Sequence, residues 1–305
     1  MHITQSKFLS ILFYPVLKYF ENLGRKDPKK LTKIRYWLRF RKLLDLKNPK
    51  DLNEKILWLK FNTVIESWSR LSDKYAVRDY IIECGLKEIL NDLYAKWETV
   101  EDINITNLPN SFVLKPNNGS GGVIIVKDKN KFDLEHAKKQ LLKKMNNRVG
   151  LLGAEIQYYS IRPCIIAEKY LCPSVNQNSI TDYKFWCFNG EPYNVFICHN
   201  RFKKYVHISL YDLDWEKHPE RLIFNKMDRN GSDYDIERPV SYEKMLDICR
   251  IVSKPFPCVR VDLYEIDGQP IFGEMTFTSL GGMMDYFSPE YLEKMGNEIK
   301  LPTKI

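Results

Sequence analysis

The sequence lacks the features that mark secreted, zinc-binding and membrane-spanning proteins. Its seven cysteines are odd in number and include no CxxC pair, so neither a disulfide framework nor a thiol-based zinc site is expected. The five histidines are scattered and form no HExxH motif. No signal peptide with a small-residue cleavage site is recognisable, and internal repeats are missing. These absences favour a cytoplasmic protein with reduced thiols.

The amino-terminal segment is apolar first and strongly basic afterwards. Phe8 to Phe20 is interrupted by Pro15 and Lys18, whereas a membrane-spanning helix needs about 20 apolar residues. Arg25 to Lys42 carries nine basic residues and one acidic residue, which equals the whole net charge of +8. Two interpretations of residues 1–42 stay open: a helical cap with a solvated basic face, or an anchor on an anionic membrane surface. Nucleic-acid binding, which the basic–aromatic mixture permits, is the least favoured.

Beyond this segment, strands and helices alternate without a regular βαβ rhythm. An Asn-Gly pair between two apolar runs predicts a β-hairpin, and apolar residues at helical spacing predict helices. The pattern is typical of the α+β class rather than of a doubly wound sheet. Helices are predicted over much of residues 1–71, including a short one at Asn53–Phe61 that is capped by Asn53. Further helices are predicted at Asp73–Cys84, Asp133–Met145 and Tyr242–Ser253, and strands at Phe112–Leu114, Val123–Val126, Ile165–Leu171, Tyr183–Phe188, Pro192–Cys198 and in a final hairpin, Val259–Phe277.

A glycine-rich loop between two predicted strands is a candidate phosphate site. Asn117 to Gly122 reads NNGSGG, and glycine lets successive N–H groups point into one concavity. The loop has neither the GK[ST] ending of a Walker A motif nor GxGxxG spacing, so by itself it is equally well an ordinary glycine-rich hairpin. Lys115, in the preceding strand, could point at the same phosphates and favours the nucleotide interpretation.

Two carboxylates in the final hairpin are candidate metal ligands. A two-residue turn at Asp267-Gly268 would put Asp262 and Glu274 on opposite faces, because side chains alternate along a strand. A three-residue loop ending at Gly268 would instead place Asp262 opposite Phe272, with Glu274 as its diagonal neighbour on the same face. We expect the second arrangement, in which one Mg²⁺ could bridge the two carboxylates. The alternative is a pair of solvated carboxylates on an exposed sheet face.

Three further charged residues belong to the same predicted sheet. Asp182 and Lys184 flank Tyr183 and therefore share one face, where Lys184 would need an anion; an exposed ion pair is the alternative. Arg260 shares a face with Asp262 and could hold a substrate carboxylate or an oxyanion. Arg201, in a stretch without a diagnostic motif, is a candidate substrate contact.

Five motifs in a fixed order resemble the TupA-like family of the ATP-grasp superfamily, which is associated with the synthesis of bacterial surface polysaccharide and teichuronopeptide. The resemblance covers about Asn53 to Pro302, and it is specific because of the order rather than because of any one motif. The motifs are DKYAVRDYI, FVLKPNNGSGG, IIAEKYL, DYKFWCFNGEP and FGEMTFT.

The resemblance implies a role for each motif. Mg²⁺ would be held by Asp262, Glu274 and Thr276. Many ATP-grasp enzymes have Asn at the place of Thr276, so the number of Mg²⁺ ions bound, one or two, stays open. The stretch RVD…GEMTFTSLGG, which begins at Arg260, also resembles D-alanine–D-alanine ligases, which implies that Arg260 and Gly281 or Gly282 stabilise a tetrahedral intermediate. Contacts to ATP are implied for Lys74, Lys115, Gly119, Ser120, Gly121, Gly122, Glu168, Lys169, Leu171 and Lys184.

These observations predict an ATP-grasp fold behind a helical, basic extension at residues 1–72. The core would begin at 73–110, continue into a small flap subdomain at 111–172, and end in a subdomain with the metal site at 173–305. The implied activity is ATP-dependent carboxylate–amine ligation through an acylphosphate, on a bacterial cell-surface polysaccharide, a capsule or a precursor, in the cytoplasm or on the inner face of its membrane. The alternatives are a kinase-like phosphotransferase acting on a sugar or glycan, and a non-catalytic membrane-surface protein.

Overall fold

A computed structural model describes residues 2–119, 121–146, 149–172, 180–199, 207–223 and 235–303, with side chains described from Tyr14 onward, Val149 excepted. The helices are α1 (His2–Lys26), α2 (Pro28–Phe40), α3 (Leu52–Asn62), α4 (Glu66–Ser72), α5 (Val77–Glu83), α6 (Leu134–Met145), α7 (Val149–Gly153), α8 (Tyr242–Ser253) and α9 (Pro289–Glu298). The strands are β1 (Leu93–Trp97), β2 (Phe112–Pro116), β3 (Ile124–Val126), β4 (Ile165–Lys169), β5 (Asp182–Phe188), β6 (Glu191–His199), β7 (His207–Tyr211), β8 (Cys258–Ile266) and β9 (Gln269–Thr276).

The described strands form two antiparallel sheets, which confirms the predicted α+β class. The smaller sheet has the order β1-β4-β2-β3 and the larger one β7-β6-β5-β8-β9. Two strands, β1 and β7, were not predicted. Both lie at the edge of their sheet; β1 alternates between half-buried and exposed residues, whereas β7 is buried over residues 208–211. Strand β1 lies before residue 111, where we expected the small flap subdomain to begin, so the small sheet contains strands from both sides of that boundary. The domain limits stay predictions.

Each sheet buries one face in its own core. Phe112, Leu114 and Ala167 of the small sheet pack with Leu141 of α6. The larger sheet packs Phe185 and the rest of its apolar face against α8, and the core continues into α3, α4 and α9. The opposite faces of the two sheets remain available to line a cleft.

Two predicted helix starts are wrong, and the capping contacts show why. We expected α3 to begin at a capping Asn53, but Asp51 is the cap and its carboxylate accepts from the N–H of Glu54 at 2.8 Å. Asn53 is instead buried and bonds the backbone of Met284 in both directions. The helix predicted from Asp73 begins at Val77, because the Asp73 side chain accepts from two following backbone N–H groups and closes a turn there.

The amino-terminal extension is packed onto the body of the protein. Helix α1 continues through Pro15, which interrupts the apolar stretch but not the helix. In α2, Tyr36 is buried in a cluster with Leu57 of α3 and Met283. Because the backbone of α1 approaches α7 closely, a Cβ at Gly24 would lie 2.1 Å from the Leu151 carbonyl oxygen. The helices α1 and α2 are therefore part of the folded unit.

Candidate active site

A β-bulge at Gly273 places the two acidic side chains of the final hairpin directly opposite each other. The turn at Asp267-Gly268 has two residues, both with positive φ, and pairs Ile266 with Gln269. The register then shifts, so that Leu263 faces Phe272 while Asp262 faces Glu274. The expected three-residue loop, with Asp262 opposite Phe272, is therefore wrong, although the two carboxylates do share a face. Gly273 is the inserted residue, and a Cβ there would lie 2.8 Å from the Asp262 carbonyl oxygen.

Arg260 connects the charged groups on this face. Its guanidinium donates to both oxygens of Asp262, at 2.7 and 2.8 Å, and to Glu274 Oε1 at 3.3 Å. It also donates to Thr276 Oγ1 at 3.1 Å and to Ser279 Oγ at 2.8 Å. A single buried cation thus fixes the positions of both predicted metal ligands and of the loop that follows them.

Lys184 reaches Asp262 from the neighbouring strand. The two residues are cross-strand partners of β5 and β8, and the Lys184 ammonium donates to Asp262 Oδ2. It also lies 3.5 Å from Asp182, which confirms that Asp182 and Lys184 share a face. Burial by itself would raise the pKa of Asp262, but Arg260 and Lys184 outweigh it and lower the pKa to about 2. Burial opposes the charge on Lys184 as well, yet the two aspartates raise its pKa.

The small sheet supplies a second ion pair. Lys115 Nζ lies 2.7 Å from Glu168 Oε2, a diagonal contact between β2 and β4 on the cleft face. Glu168 is largely buried, and Arg78 of α5 lies 3.9 Å from its other oxygen. Arg78 was not predicted, although it stands four residues after Lys74, a spacing that can bring two basic residues to one side of a chain turn.

Lys74 joins the two sheets across the cleft. Its ammonium donates to the Gly119 carbonyl oxygen at 2.5 Å and lies 3.9 Å from Glu274 Oε2. Burial lowers its pKa, with Glu274 acting in the opposite direction. Gly119, Gly121 and Gly122 all have positive φ, as a phosphate-cradling loop requires. The predicted loop residue Ser120 lies outside the described residues.

Two connected cavities lie between the sheets. The smaller, of about 300 Å³, is lined by the predicted adenine contacts Glu168, Lys169 and Leu171 together with apolar side chains of both sheets. The larger, of about 1720 Å³, contains the glycine loop and the acidic hairpin. Both include Lys74, Lys115 and Asp182 in their lining, so the smaller opens into the larger. An apolar pocket beside a charged cleft suits a base and its phosphates.

The hairpin fits a hard cation. Asp262 and Glu274 offer carboxylate oxygens from directly opposed positions, and the Thr276 hydroxyl lies 3.2 Å from Glu274 Oε1. The Glu274 side chain is 41% exposed and faces the cleft, whereas both oxygens of Asp262 already accept hydrogen bonds. Glu274 is therefore the more available ligand of the two.

The remaining predicted residues divide between the cleft and its surroundings. Gly281 lines the large cavity, whereas a Cβ at Gly282 would lie 2.8 Å from a Leu57 methyl group. Gly282 therefore mediates close packing. Arg201 lies outside the described residues.

Sequence reasoning also missed a half-buried acid beside the cleft. Glu155 accepts from Thr278 Oγ1 at 2.7 Å and lies near the Gly281 backbone. Burial raises its pKa, while the Thr278 hydrogen bond, Lys60 and Arg35 act against this. No motif surrounds Glu155, so only the fold brings it to the site.

Comparison with known proteins identifies the family of the chain. The sequence model of the TupA-like ATP-grasp family matches residues 54–300. No curated protein matches the chain. Among solved structures, the D-alanine–D-alanine ligase of Bacillus anthracis complexed with ATP is 18% identical over 77% of this chain and 64% of that one, with a TM-score of 0.44.

Two further solved structures show the same level of similarity. The D-alanine–D-alanine ligase of Helicobacter pylori is 14% identical over 82% of this chain and 69% of that one, with a TM-score of 0.45. The L-amino acid ligase of Bacillus licheniformis is 15% identical over 73% of this chain and 44% of that one, with a TM-score of 0.41. The chain thus spans less than two thirds of the length of two of these three enzymes.

Proposed function

Because the chain belongs to the TupA-like ATP-grasp family, we propose that it is an ATP-dependent ligase that joins a carboxylate to an amine. The family match confirms the predicted family and fold, and with them the enzyme class, whose cofactors are ATP and Mg²⁺. One observation carries the assignment to this cleft: Lys74 contacts the glycine loop and lies beside Glu274. One cation thus links the loop and the acidic hairpin, between which a triphosphate would lie.

The proposed reaction has two balanced steps. A carboxylate oxygen of the first substrate attacks the γ-phosphorus of ATP, and the bond from that phosphorus to the bridging oxygen breaks, which releases ADP and leaves an acylphosphate. The nitrogen of an amine then attacks the acyl carbon, the carbon–oxygen bond to phosphate breaks, and inorganic phosphate leaves as the nitrogen loses a proton. An amide, ADP and phosphate are the products.

The residues of the cleft suit the charges that develop. Mg²⁺ held by Asp262, Glu274 and Thr276 would supply charge neutralisation at the phosphate oxygens. Lys74 and Lys115 bind phosphate, and Lys184 faces the transferring group. Arg260 holds its neighbouring carboxylates and presents a cation to the acyl oxygen as the tetrahedral centre forms. The Gly281 backbone lies close to this region.

The family's association with cell-surface polysaccharide suggests the class of the carboxylate substrate. We infer that the carboxylate belongs to a uronic acid of a cell-surface glycan or its precursor. The cavity of about 1720 Å³ exceeds the range of about 300–1000 Å³ typical of small-molecule sites, which leaves room for an extended acceptor beside ATP.

Phosphate release from ATP tests the reaction. Across a panel of uronic acids and amino acids, a ligase releases phosphate only when a carboxylate and an amine are both present, and the amide is identified by mass spectrometry. A stable phosphorylated sugar without amine dependence would instead establish a kinase. Absence of MgATP binding in equilibrium dialysis would contradict both and favour a non-catalytic protein.

Docking on an anionic membrane surface is a second part of the proposal. Among the described residues, no helix has both the length and the apolar character needed to cross a bilayer. Tyr14, Val16 and Tyr19 of α1 are nevertheless exposed, and basic residues follow them directly. A short apolar stretch of a helix, next to a basic segment, provides two signals for peripheral binding. The surface would be the inner face of the cytoplasmic membrane.

Vesicle sedimentation tests this docking without removing packed residues. The first variant carries Gln at four exposed lysines of the extension, Lys26, Lys29, Lys30 and Lys33. We expect it to lose most binding to phosphatidylglycerol vesicles, since each basic residue contributes about 1 kcal/mol near an anionic surface. The matched control carries Gln at four exposed lysines of the small-sheet region, Lys127, Lys131, Lys139 and Lys143. Equal sedimentation of the two variants would rule out the extension as the anchor.

A further inference from the structure

We propose that arginines of the amino-terminal extension form a second anion site in the large cavity. It would bind a phosphate or a second carboxylate group of the acceptor, at a position distant from the carboxylate that reacts. That the ligand is the acceptor substrate rests on the proposed ligase function. The site itself is defined by residues that precede the family match at 54–300.

The site is built by three arginines from α1 and α2. Arg25, Arg35 and Arg39 line the same cavity as the acidic hairpin and the glycine loop. Arg35 and Arg39 are one helical turn apart on α2 and therefore point to the same side. The extension thus contributes a wall of the cavity in addition to capping the body.

Arginine and lysine are separated on this segment. Of the cations of the basic segment, three arginines line the cavity, whereas Arg41 and the lysines lie outside the lining. These exposed lysines are Lys26, Lys29, Lys30, Lys33 and Lys42. A guanidinium presents several donors in a planar fork that matches the oxygens of a phosphate or carboxylate, and a lysine does not. The first four lysines are free to serve the membrane surface while the three arginines face the cavity.

The positive charge of the three arginines exceeds the negative charge of the acids beside them. Arg39 pairs with Asp285 at 2.6 Å, and Arg35 donates to the carbonyl oxygen of Leu152. The acidic groups lining this part of the cavity are Asp285 and Glu155, against three arginines. Burial lowers the pKa of Arg35, with Glu155 acting in the opposite direction, so an anion placed beside this guanidinium would be favoured.

The wall is held in place by contacts on both of its helices. Tyr159 Oη donates to the Gly24 carbonyl oxygen at 2.9 Å, beside the close approach of α1 to α7. The buried Lys60 of α3 donates to Thr32 Oγ1 of α2 at 3.2 Å. Lys42, just after α2, lies 3.0 Å from Glu54. These contacts fix the arginine wall relative to the hairpin, as a binding site requires.

The nucleotide end of the cavity differs from this wall. There Lys115 is paired with Glu168, Lys184 with Asp262, and Arg260 with both hairpin carboxylates. Those cations are engaged by acids of the same sheets and serve ATP in the proposed function. The arginine wall is left for the other substrate, which must lie in the same cavity for its carboxylate to reach the γ-phosphate.

Isothermal titration with glucose 1-phosphate tests the site after a non-hydrolysable ATP analogue and Mg²⁺ have filled the nucleotide site. The double variant Arg35→Gln, Arg39→Gln is expected to bind the sugar phosphate at least tenfold more weakly than the unaltered chain. Glucose serves as the neutral ligand, and succinate as the carboxylate. Tighter binding of the sugar phosphate assigns the site to phosphate, and tighter binding of succinate assigns it to carboxylate.

Two further variants keep the test independent of folding. Lys29→Gln, Lys33→Gln removes the same charge from the exposed face of α2 and should bind like the unaltered chain. Asp285→Asn releases Arg39 from its ion pair and should bind the anion more tightly, a change that a folding defect would not produce. Equal affinity of the arginine double variant and the lysine control, or no anion binding by the unaltered chain, would overturn the proposal.

Failure of the ligase proposal gives a different result. If no carboxylate and amine support phosphate release, but the arginine variants change sugar phosphate affinity as described, the anion site stands and the reaction assignment falls. If turnover is found, the same double variant should raise the KM for a phosphorylated acceptor more than it lowers kcat, because the arginines bind the acceptor away from the reacting atoms.

Discussion

The two walls of the cleft treat charge in opposite ways. On the nucleotide wall, formed by the glycine loop, β4 and the β8–β9 hairpin, the cations Lys115, Lys184 and Arg260 are each paired with an acid. On the arginine wall, α1 and α2 place three arginines against two acids, and Arg39 is paired with Asp285 while Arg35 donates to a backbone carbonyl oxygen. The difference indicates that the first wall is organised before ATP binds, whereas the second is arranged to receive charge from a ligand.

Neutralising Glu274 tests the nucleotide wall most severely. Glu274→Gln keeps the shape of the side chain but removes the charge of the more available metal ligand. We expect roughly a 100-fold or larger loss of turnover, the size of effect seen when one charge-stabilising group is removed. The control is Asp267→Asn in the turn of the same hairpin, a position with φ of 51° that Asn accepts well. Full activity of Glu274→Gln, with an unchanged thermal midpoint, would show that the metal lies elsewhere.

Inserting a methyl group at the bulge tests whether the nucleotide wall depends on register. Gly273→Ala places a Cβ 2.8 Å from the Asp262 carbonyl oxygen, so the bulge must shift and the opposed carboxylates move apart. We expect about a tenfold loss of turnover and a destabilisation of about 1–3 kcal/mol. Gly268→Ala is the matched control, because its φ of +69° brings similar strain but its surroundings are open. The two variants should lose comparable stability. Equal turnover of the two would show that activity does not depend on the bulge.

The parts of the nucleotide wall that could be predicted from residue patterns are those whose residues are close along the chain, whereas contacts such as Lys184 with Asp262 join residues 78 positions apart. Lys184 and Asp182 share a face by alternation, and the glycine loop follows Lys115 within the same strand–loop unit. The register of the last hairpin could not be predicted, because two small effects combine. A two-residue turn alone would have separated Asp262 from Glu274, and the bulge at Gly273 restores them to one face. A glycine next to Phe272 was the signal, since glycine within a strand often marks a bulge.

The arginine wall could not be predicted because it depends on packing over long sequence separations. Arg35 meets Leu152 across 117 residues, and Arg39 meets Asp285 across 246. The charge pattern showed a basic segment but not which of its residues would face inward. The half-buried Glu155 escaped notice for the same reason. The edge strand β1 was missed because its alternation of half-buried and exposed residues leaves a weak apolar pattern.

A side chain at Gly24 should detach the arginine wall and leave the nucleotide wall unchanged. Gly24→Ala puts a Cβ 2.1 Å from the Leu151 carbonyl oxygen, so α1 must move away from α7. We expect a loss of about 1–3 kcal/mol in stability. Amide hydrogen exchange should become several-fold faster in residues 14–26 and 150–153, with no change in β8 or β9. Lys33→Ala, on the exposed side of α2, is the control. Faster exchange in the hairpin as well would mean that the two walls are not separable.

The smallest expected effect concerns Lys60, which lies where the two walls meet. Its ammonium is buried, donates to Thr32 of α2, and has Glu155 and Arg35 as its charged neighbours. Burial lowers its pKa to about 7, while Glu155 acts to raise it and Arg35 to lower it further. In an unfolded chain the pKa of a lysine is about 10.4. Between these values the unfolded chain binds one proton more than the folded protein does.

Stability should therefore rise with pH above 7 on account of Lys60, by at most about 1.4 kcal/mol per pH unit for one proton. Lys60→Met fills the same space without a titrating group, so the slope of the free energy of unfolding between pH 7.5 and 8.5 should be smaller in the variant. Urea unfolding at the two pH values measures it, with Lys33→Met as the exposed control. If the variant keeps the full slope, Lys60 is charged in the folded protein. The charge of Lys60 would then offset that of the nearby Glu155, and the arginine wall would face one acid fewer.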